Sequence, residues 1–325
     1  MTSTIASSAR RVELITGMVS VIIPLYNNEQ YVKDAVNSVL QQSYQHFEVI
    51  IVDDGSTDGS LEQLSDIVDL VTIIKQENQG SAVARNMGLA AAKGEFIAFL
   101  DADDLWTPYK LALQVEFLNA HSDYQMVCGV DERISMEFRF TQIEAKHPCA
   151  PELLEKLSGK QFENLLFSCP YHINNLMLRK TALNNISFCP DLRRGQDLDF
   201  WFQLCSKYEV AYLNVLLSYY RENLSSISYK WQSVNVKLHI LKTAIERVDS
   251  TNDVSKANIH KAFAHACSEY AYSARLHKKP FIAIKSYLHA IWYAPFNIAY
   301  TKGITACCLE AFKLKAYPRI NKHVQ

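Results

Sequence analysis

Between Val19 and Gly129 five short runs rich in Val, Ile and Phe alternate with longer segments of helical period, and each of the first four runs ends in a polar cluster. That repeat is the pattern of βαβ units, and it admits few folds. Strands that are apolar on both faces lie parallel in a covered sheet, and right-handed crossovers place helices on both sides of it. The runs predict strands at "VSVIIP" (19 to 24), "FEVIIVD" (47 to 53), "VTIIK" (71 to 75), "EFIAFLD" (95 to 101) and "QMVCG" (125 to 129). Helices are predicted near 29 to 42, 60 to 68, 81 to 92 and 108 to 119. Thr107 is expected to cap the last of these, with Pro108 in the first turn, where its missing N–H is not needed.

In such sheets the ligand crevice lies beyond the carboxyl ends of the strands. Four clusters fall there: "PLYNNE", "DDGSTD", "QENQGSAVARN" and "DADD". Singly each has an ordinary explanation, since Asp54-Gly55 is a common turn, Asn27-Asn28 a loop and "DADD" a solvated helix entrance. Together on one rim they make a ligand site. The last is the most demanding, because "EFIAFLDADDLW" sets Asp101, Asp103 and Asp104 at the mouth of an apolar strand. Repulsion and desolvation disfavour that arrangement unless a cation, a donor group or open water compensates. The chain has no GxxxxGK[ST] and no GxGxxG after its first strand, which removes P-loop and ordinary dinucleotide readings. A diphosphate held through a divalent cation, itself bound by one or two carboxylates and phosphate oxygens, fits the three aspartates.

A chain of 325 residues accommodates a main domain and a smaller partner. With 33 Lys and Arg against 34 Asp and Glu, it has no global attraction to nucleic acid or to an anionic membrane. Cys128, Cys149, Cys169, Cys189, Cys205, Cys267, Cys307 and Cys308 form no CxxC pair and no zinc-spaced cluster, so they read as buried thiols of a reduced cytoplasmic protein. Residues 1 to 17 lack the apolar run of a signal peptide and read as a flexible leader, with Met18 an alternative start; no later stretch is long and apolar enough to span a membrane. Beyond Gly129, "MEFRF" and "HINNLMLRK" suggest further strands, and Leu198, Trp201, Phe202 and Cys205 recur at helical spacing. From Trp231 onward the pattern is mainly helical, with Lys278-Lys279-Pro280 breaking two helices into a hairpin.

Two long stretches, "VSVIIPLYNNEQYVKDAVNSVLQQSYQHFEVIIVDDGSTDGS" and "NQGSAVARNMGLAAAKGEFIAFLDADD", with "GQDLDFWFQL" and "YYRENLSSIS" after them, resemble the family-two inverting glycosyltransferases over about residues 18 to 230. The resemblance implies an α/β fold of the GT-A kind, Rossmann-like, with a mostly parallel sheet, helices on both faces and a helical C-terminal region. The expected division is a leader (1 to 17), a GT-A domain (18 to 230) and helices (231 to 325). Within the GT-A domain, 18 to 129 would bind the nucleotide sugar and 130 to 230 the acceptor.

Carried over by resemblance, Pro24, Tyr26 and Glu29 line the nucleotide pocket, Asp54 accepts from the base and Asp53 supports the turn. Asn78, Gly80, Arg85 and Asn86 match the loop and helix entrance below the nucleotide, with Arg85 a partner for the pyrophosphate or the aspartates. Asp101, Ala102 and Asp103 form the DxD segment, Asp103 and Asp104 hold Mg²⁺ or Mn²⁺, and Asp197 is the catalytic base. His172 and Trp201 read as packing residues before acceptor contacts. Two departures stand out: Gln196 occupies the place of a usual Glu, and Asn223 that of a usual His.

The implied reaction moves one sugar from a nucleotide diphosphate sugar, a UDP-sugar favoured, to a hydroxyl of a carbohydrate or lipid-linked acceptor in surface polysaccharide or glycolipid assembly. No nucleic acid partner is expected. The place would be the cytoplasm, at the inner face of the cell membrane, with peripheral membrane contact only. A non-catalytic nucleotide-sugar scaffold and a nucleotidyltransferase are the alternatives. The latter is disfavoured because "PLYNNEQYV" contains no Gly, Lys or Arg.

Overall fold

The computed structural model describes residues 14 to 143, 152 to 222, 233 to 247 and 254 to 316, without the side chains of 233 to 235 and 311 to 316. By packing, the chain forms two compact units that interleave in sequence: Met1–Ser158, Tyr171–Pro190 and Glu209–Glu222 make the first, and Gly159–Pro170, Asp191–Tyr208 and Asn223–Gln325 the second.

The first unit begins with strand β1 (Ile15–Leu25), helix α1 (Val32–Leu40), β2 (Phe47–Asp53), β3 (Thr72–Lys75), α2 (Ser81–Ala91) and β4 (Gly94–Phe99). It continues with β5 (Leu105–Trp106), α3 (Lys110–Ala120), β6 (Met126–Ile134), β7 (Met177–Arg179) and β8 (Ala211–Arg221). One eight-stranded sheet runs β3-β2-β1-β4-β7-β6-β8-β5. Strands β3, β2, β1 and β4 are parallel, β7 is antiparallel to both neighbours, β6 and β8 are parallel, and β5 is antiparallel to β8. Val19 to Leu25 are buried without interruption, as a strand covered on both faces requires. Helix α2 lies so close to β1 that a Cβ at Gly88 would sit 2.4 Å from Ile22 Cγ2.

From β1 the chain proceeds outward through β2 to β3 and then returns to place β4 on the other side of β1. This reversal is a topological switch point, where the loops beyond the strand ends diverge and leave a crevice. Its two walls are the segment after Leu25 and the segment after Phe99, which is the DxD segment.

Several local expectations differ from the structure. The strand at β1 starts at Ile15, so residues 15 to 17 of the expected leader are sheet; the Gly17 N–H donates to Glu95 Oε2 at 2.8 Å. Residues 60 to 68 form no α-helix but two short 3-10 turns, Glu62–Leu64 and Val68–Leu70. Thr107 does not cap α3: its hydroxyl donates to Leu217 O at 3.1 Å, tying the β5 end to β8, and the helix starts at Lys110. "MEFRF" forms a turn leading into Phe140–Gln142, and only Met177–Arg179 of "HINNLMLRK" is strand, after a 3-10 turn at Ile173–Asn175.

The second unit holds α4 (Phe162–Leu165), α5 (Gln196–Cys205), α6 (Ser233–Arg247), α7 (Lys256–Leu276), α8 (Pro280–Tyr293) and α9 (Ile298–Ala316). The expected hairpin break is present, with Lys278 at φ 56° and Pro280 opening α8. Ala264, Cys267, Ala271, Ala283, Tyr287 and Ala290 form the core of α7 and α8, and Gly303 of α9 approaches the Tyr287 ring so closely that a Cβ there would lie 2.5 Å from it. No helix among the described residues is long and apolar enough to cross a membrane. Asn223, Trp231 and Cys149 lie outside the described residues.

Candidate active site

The first rim of the crevice is a lattice of hydrogen bonds between the loops after β1 and β2. Asn27, at φ 50°, accepts from Thr57 N–H through Oδ1 at 2.8 Å, while its own N–H donates to Ser56 Oγ at 3.1 Å. The Asn28 N–H donates to Ser60 Oγ at 2.8 Å, and Glu29 exchanges bonds with the 58 to 59 turn. Pro24 is the penultimate residue of β1 and Tyr26 is exposed at the rim.

Asp53 and Asp54 are both buried. Asp53 Oδ1 accepts the Ser56 N–H at 3.1 Å, which is the turn support expected of it. Asp54 was expected to accept from a nucleotide base, but its carboxylate already has three donors: Gln76 Nε2 and Gln79 N at 2.7 Å, and Gly80 N at 2.8 Å. It therefore pins the loop after β3 and orients the start of α2, where Gly80 at φ 95° occupies a conformation that L side chains rarely adopt.

The second rim is the turn after β4. Arg85, buried in α2, donates from Nη2 to Asp101 Oδ1 at 2.6 Å, and its guanidinium stands 5.2 Å from the Phe188 ring centre. Ala102 is buried beneath the turn. Asp104 is 1% exposed, and both of its oxygens are engaged: Oδ1 accepts the Arg221 N–H at 2.8 Å and Oδ2 accepts from Asn174 Nδ2. Burial, then the neighbouring Asp103 and Asp101, push its carboxyl well above the usual carboxylate range. An Asp104 so enclosed offers no open oxygen to a metal, contrary to the expectation, and serves instead to hold the turn.

Asp103 is half-buried and has no side-chain partner among the described residues. Burial first, then Asp101, push its pKa up to about 6. The three aspartates thus have three different circumstances: one paired with Arg85, one sealed inside, and one partly buried without a side-chain hydrogen bond.

Asn174 organises this turn and was not singled out by sequence reasoning. Its Oδ1 accepts the Asp101 N–H at 2.8 Å, its Nδ2 donates to Asp104, and its backbone oxygen accepts Trp106 Nε1 at 2.9 Å. Its only sequence signal was "HINN", read as strand. Nearby, His172 Nε2 lies 3.9 Å from Asp131 Oδ2, with its ring edge against Tyr220.

In the second unit, Asp197 is half-buried in the first turn of α5, whose N-terminal Gly195 has φ 68°. Asp199, two residues on, is sealed by Arg247 Nη1 at 2.7 Å and Gln203 Nε2 at 2.8 Å. Trp201 is fully buried, in keeping with packing.

The model of "Glycosyl transferase family 2" matches residues 20 to 187, which include the polar loops after β1, β2, β3 and β4 together with Asn174, while Arg221 and Asp197 lie beyond it. The chain belongs to glycosyl transferase family 2. This family-2 chain is similar to TuaG of Bacillus subtilis (strain 168), a glycosyltransferase named for teichuronic acid biosynthesis: 37% identical over 237 residues, covering 71% of this chain and 89% of TuaG. It is also similar to the Escherichia coli enzyme WfaP, a UDP-Glc:alpha-D-GlcNAc-diphosphoundecaprenol beta-1,3-glucosyltransferase, at 30% identity over 230 residues, 70% of this chain and 86% of that one. Several other relatives are longer, and the match spans about a third of their length (32 to 33%). Among solved structures, Staphylococcus aureus TarS 1-349 in complex with UDP-GlcNAc superposes with a TM-score of 0.63 at 20% identity, covering 86% of this chain and 82% of that one. The fold is therefore of the GT-A kind.

Proposed function

We propose that the chain is an inverting glycosyltransferase that moves one sugar from a UDP-sugar to a hydroxyl of a carbohydrate or lipid-linked acceptor. The observation that carries this reading is the position of Asp103, the carboxylate of the acidic turn that has no side-chain hydrogen bond among the described residues, at the switch point of the sheet. The names of TuaG and WfaP support polysaccharide or lipid-linked glycan assembly.

The donor set suits Mg²⁺ or Mn²⁺. Such ions need only one or two protein carboxylates when phosphate oxygens complete the shell. Asp103 would hold the ion, with Asp101 beside it. A bound divalent ion supplies charge neutralisation for the departing diphosphate.

The chain's own residues do the rest. Asn174 and Arg85 hold the turn of the second rim, and the Asn27 and Asp54 networks fix the loops of the first, with the nucleotide between them. Asp197 takes the proton from the acceptor hydroxyl. The acceptor oxygen then bonds to the anomeric carbon while the bond to the diphosphate breaks, its electron pair leaving with the phosphate. One displacement inverts the centre, and no enzyme nucleophile forms. Asp197 has this role by resemblance; Asp199 is sealed by Arg247 and Gln203 and is unsuited to it.

The test is a panel of UDP-, GDP- and dTDP-sugars with Mn²⁺ or EDTA, reading thermal shift and nucleotide release. A UDP-sugar that raises the melting temperature in Mn²⁺ and releases UDP supports the proposal. No shift and no release with any donor would end it.

A further inference from the structure

Helix α8 exposes its most apolar side chains. At about 100° per residue, Phe281, Lys285, Leu288 and Trp292 fall within an arc of roughly 60°, and Phe281, Leu288 and Trp292 are 69%, 54% and 77% exposed. The opposite face, Ala283, Ser286, Tyr287 and Ala290, is buried against α7 and α9. A helix apolar on both faces in water is ordinarily covered on both. The turns at its ends extend the stripe: Leu276 is 64% exposed before it, and Phe296 is 96% and Ile298 68% exposed after it.

The charge around this stripe is one-sided. Residues 254 to 325 carry eleven Lys and Arg against two Glu, a net of +9, whereas residues 1 to 253 carry a net of -10. Both glutamates are already engaged, Glu310 with Arg275 at 2.8 Å and Glu269 with Lys237 at 2.8 Å. Lys278 and Lys279 stand exposed in the turn before α8, and Lys285 stands inside the apolar arc. Trp292 also walls a groove of about 590 Å³ with His239, Lys242 and His289. The near-neutral whole-chain charge conceals this separation.

We infer that α8 and its two flanking turns dock in the plane of an anionic phospholipid bilayer, with Phe281, Leu288, Trp292 and Phe296 entering the headgroup boundary and Lys278, Lys279 and Lys285 meeting lipid phosphates. Aromatic and aliphatic side chains on one face with lysines beside them are the features of a helix that lies in the interface. Lysine suits such an arc because its stem lies along apolar surface while its ammonium reaches the phosphates. A second copy of the chain is the poorer occupant, since two such faces present like charge to each other. The inference goes beyond the transfer reaction and does not depend on it.

The test uses the full-length chain, sedimented with sucrose-loaded vesicles of phosphatidylcholine and phosphatidylglycerol at about three to one, and with phosphatidylcholine alone. Binding to the anionic vesicles is expected, weakening in high salt because the attraction is screened. Each lysine near such a surface is worth about fivefold in partitioning, so the triple variant Lys278→Glu, Lys279→Glu, Lys285→Glu should bind at least about a hundredfold more weakly. The variant Phe281→Ser, Trp292→Ser, Phe296→Ser should lose at least about tenfold. All six sites are exposed, so circular dichroism, the melting temperature and the donor-induced thermal shift should match the parent in both variants. No binding to anionic vesicles, equal binding to both vesicle types, or undiminished binding by either variant overturns the inference. A parent that ignores vesicles but sediments as a dimer, and becomes monomeric in the apolar variant, assigns the face to a second copy instead and likewise overturns it.

Discussion

Removing the Asn174 side chain should loosen the acidic turn from behind. Two bonds are lost in Asn174→Ala: the amide donated to Asp104 Oδ2, and the acceptor of the Asp101 N–H at 2.8 Å. Its bond from Trp106 runs to the backbone oxygen and survives. An ordinary hydrogen bond contributes about 0.5 to 1.5 kcal/mol, and a polar group left unpaired costs about 1 to 3 kcal/mol, so the loss should be about 2 to 4 kcal/mol. For a unit of this size that corresponds to a fall in melting temperature on the order of 10 °C. Asn174→Asp is the informative companion. It keeps an acceptor for the Asp101 N–H but sets a second carboxylate against buried Asp104. The folded pair then retains a proton that the separated, unfolded carboxylates release near pH 4. Its folded pKa is raised, so stability is present at low pH and is lost as pH rises through that folded value. Asn174→Asp should therefore be less stable than Asn174→Ala at pH 8 and recover relative to it near pH 5. Differential scanning fluorimetry at both pH values reads this directly. A melting temperature within about 2 °C of the parent for Asn174→Ala, or a pH-independent gap between the two variants, refutes the assignment of Asn174 as the post of the turn.

Four further outcomes are expected. Asp103→Asn should weaken UDP-sugar binding strongly in Mn²⁺ and little in EDTA. In the parent, Mn²⁺ affinity should fall as pH drops through about 6, because a metal must displace the proton that burial and Asp101 hold on Asp103; isothermal titration at pH 5.5 and 7.5 checks both. Asp197→Asn should lower turnover by about 10² to 10⁴ while donor affinity moves by less than a few fold, and single-turnover kinetics showing activity within about threefold of the parent would assign the base elsewhere. Arg85→Met should destabilise by about 1 to 3 kcal/mol, less than a fully buried pair would lose because Asp101 is 31% exposed, and urea unfolding with an unchanged slope would show it.

Much of the fold between residues 18 and 129 was legible in the residues. Strand β2 runs over Phe47–Asp53 as its hydrophobic run predicts, and β3, β4 and α2 begin within one residue of expectation. These elements carry their own signals, because a buried parallel strand must be apolar throughout and a helix on its face must repeat every three to four residues. The segment at 60 to 68 had apolar residues at usable spacing, yet it folds as two 3-10 turns. Ser60 and Asp58 there bond the loop after β1 instead. Thr107 likewise has the chemistry of a cap, but β8, more than a hundred residues away in sequence, competes for its hydroxyl.

What the sequence determined by itself is the kind of site: an acidic turn after an apolar strand, within a set of four polar clusters that a parallel sheet brings to one rim. That follows from local periodicity and from the handedness of βαβ crossovers, neither of which needs distant contacts. What only the tertiary structure decided is the division of labour among like residues. Asp54, Asp104 and Asp199 are sealed by three, two and two donors, while Asp103 has no side-chain partner among the described residues. Identical carboxylates acquire different roles because burial and hydrogen-bond donors, supplied by residues as remote as Asn174, Arg221 and Arg247, determine which charge is satisfied within the fold and which is left to meet a ligand.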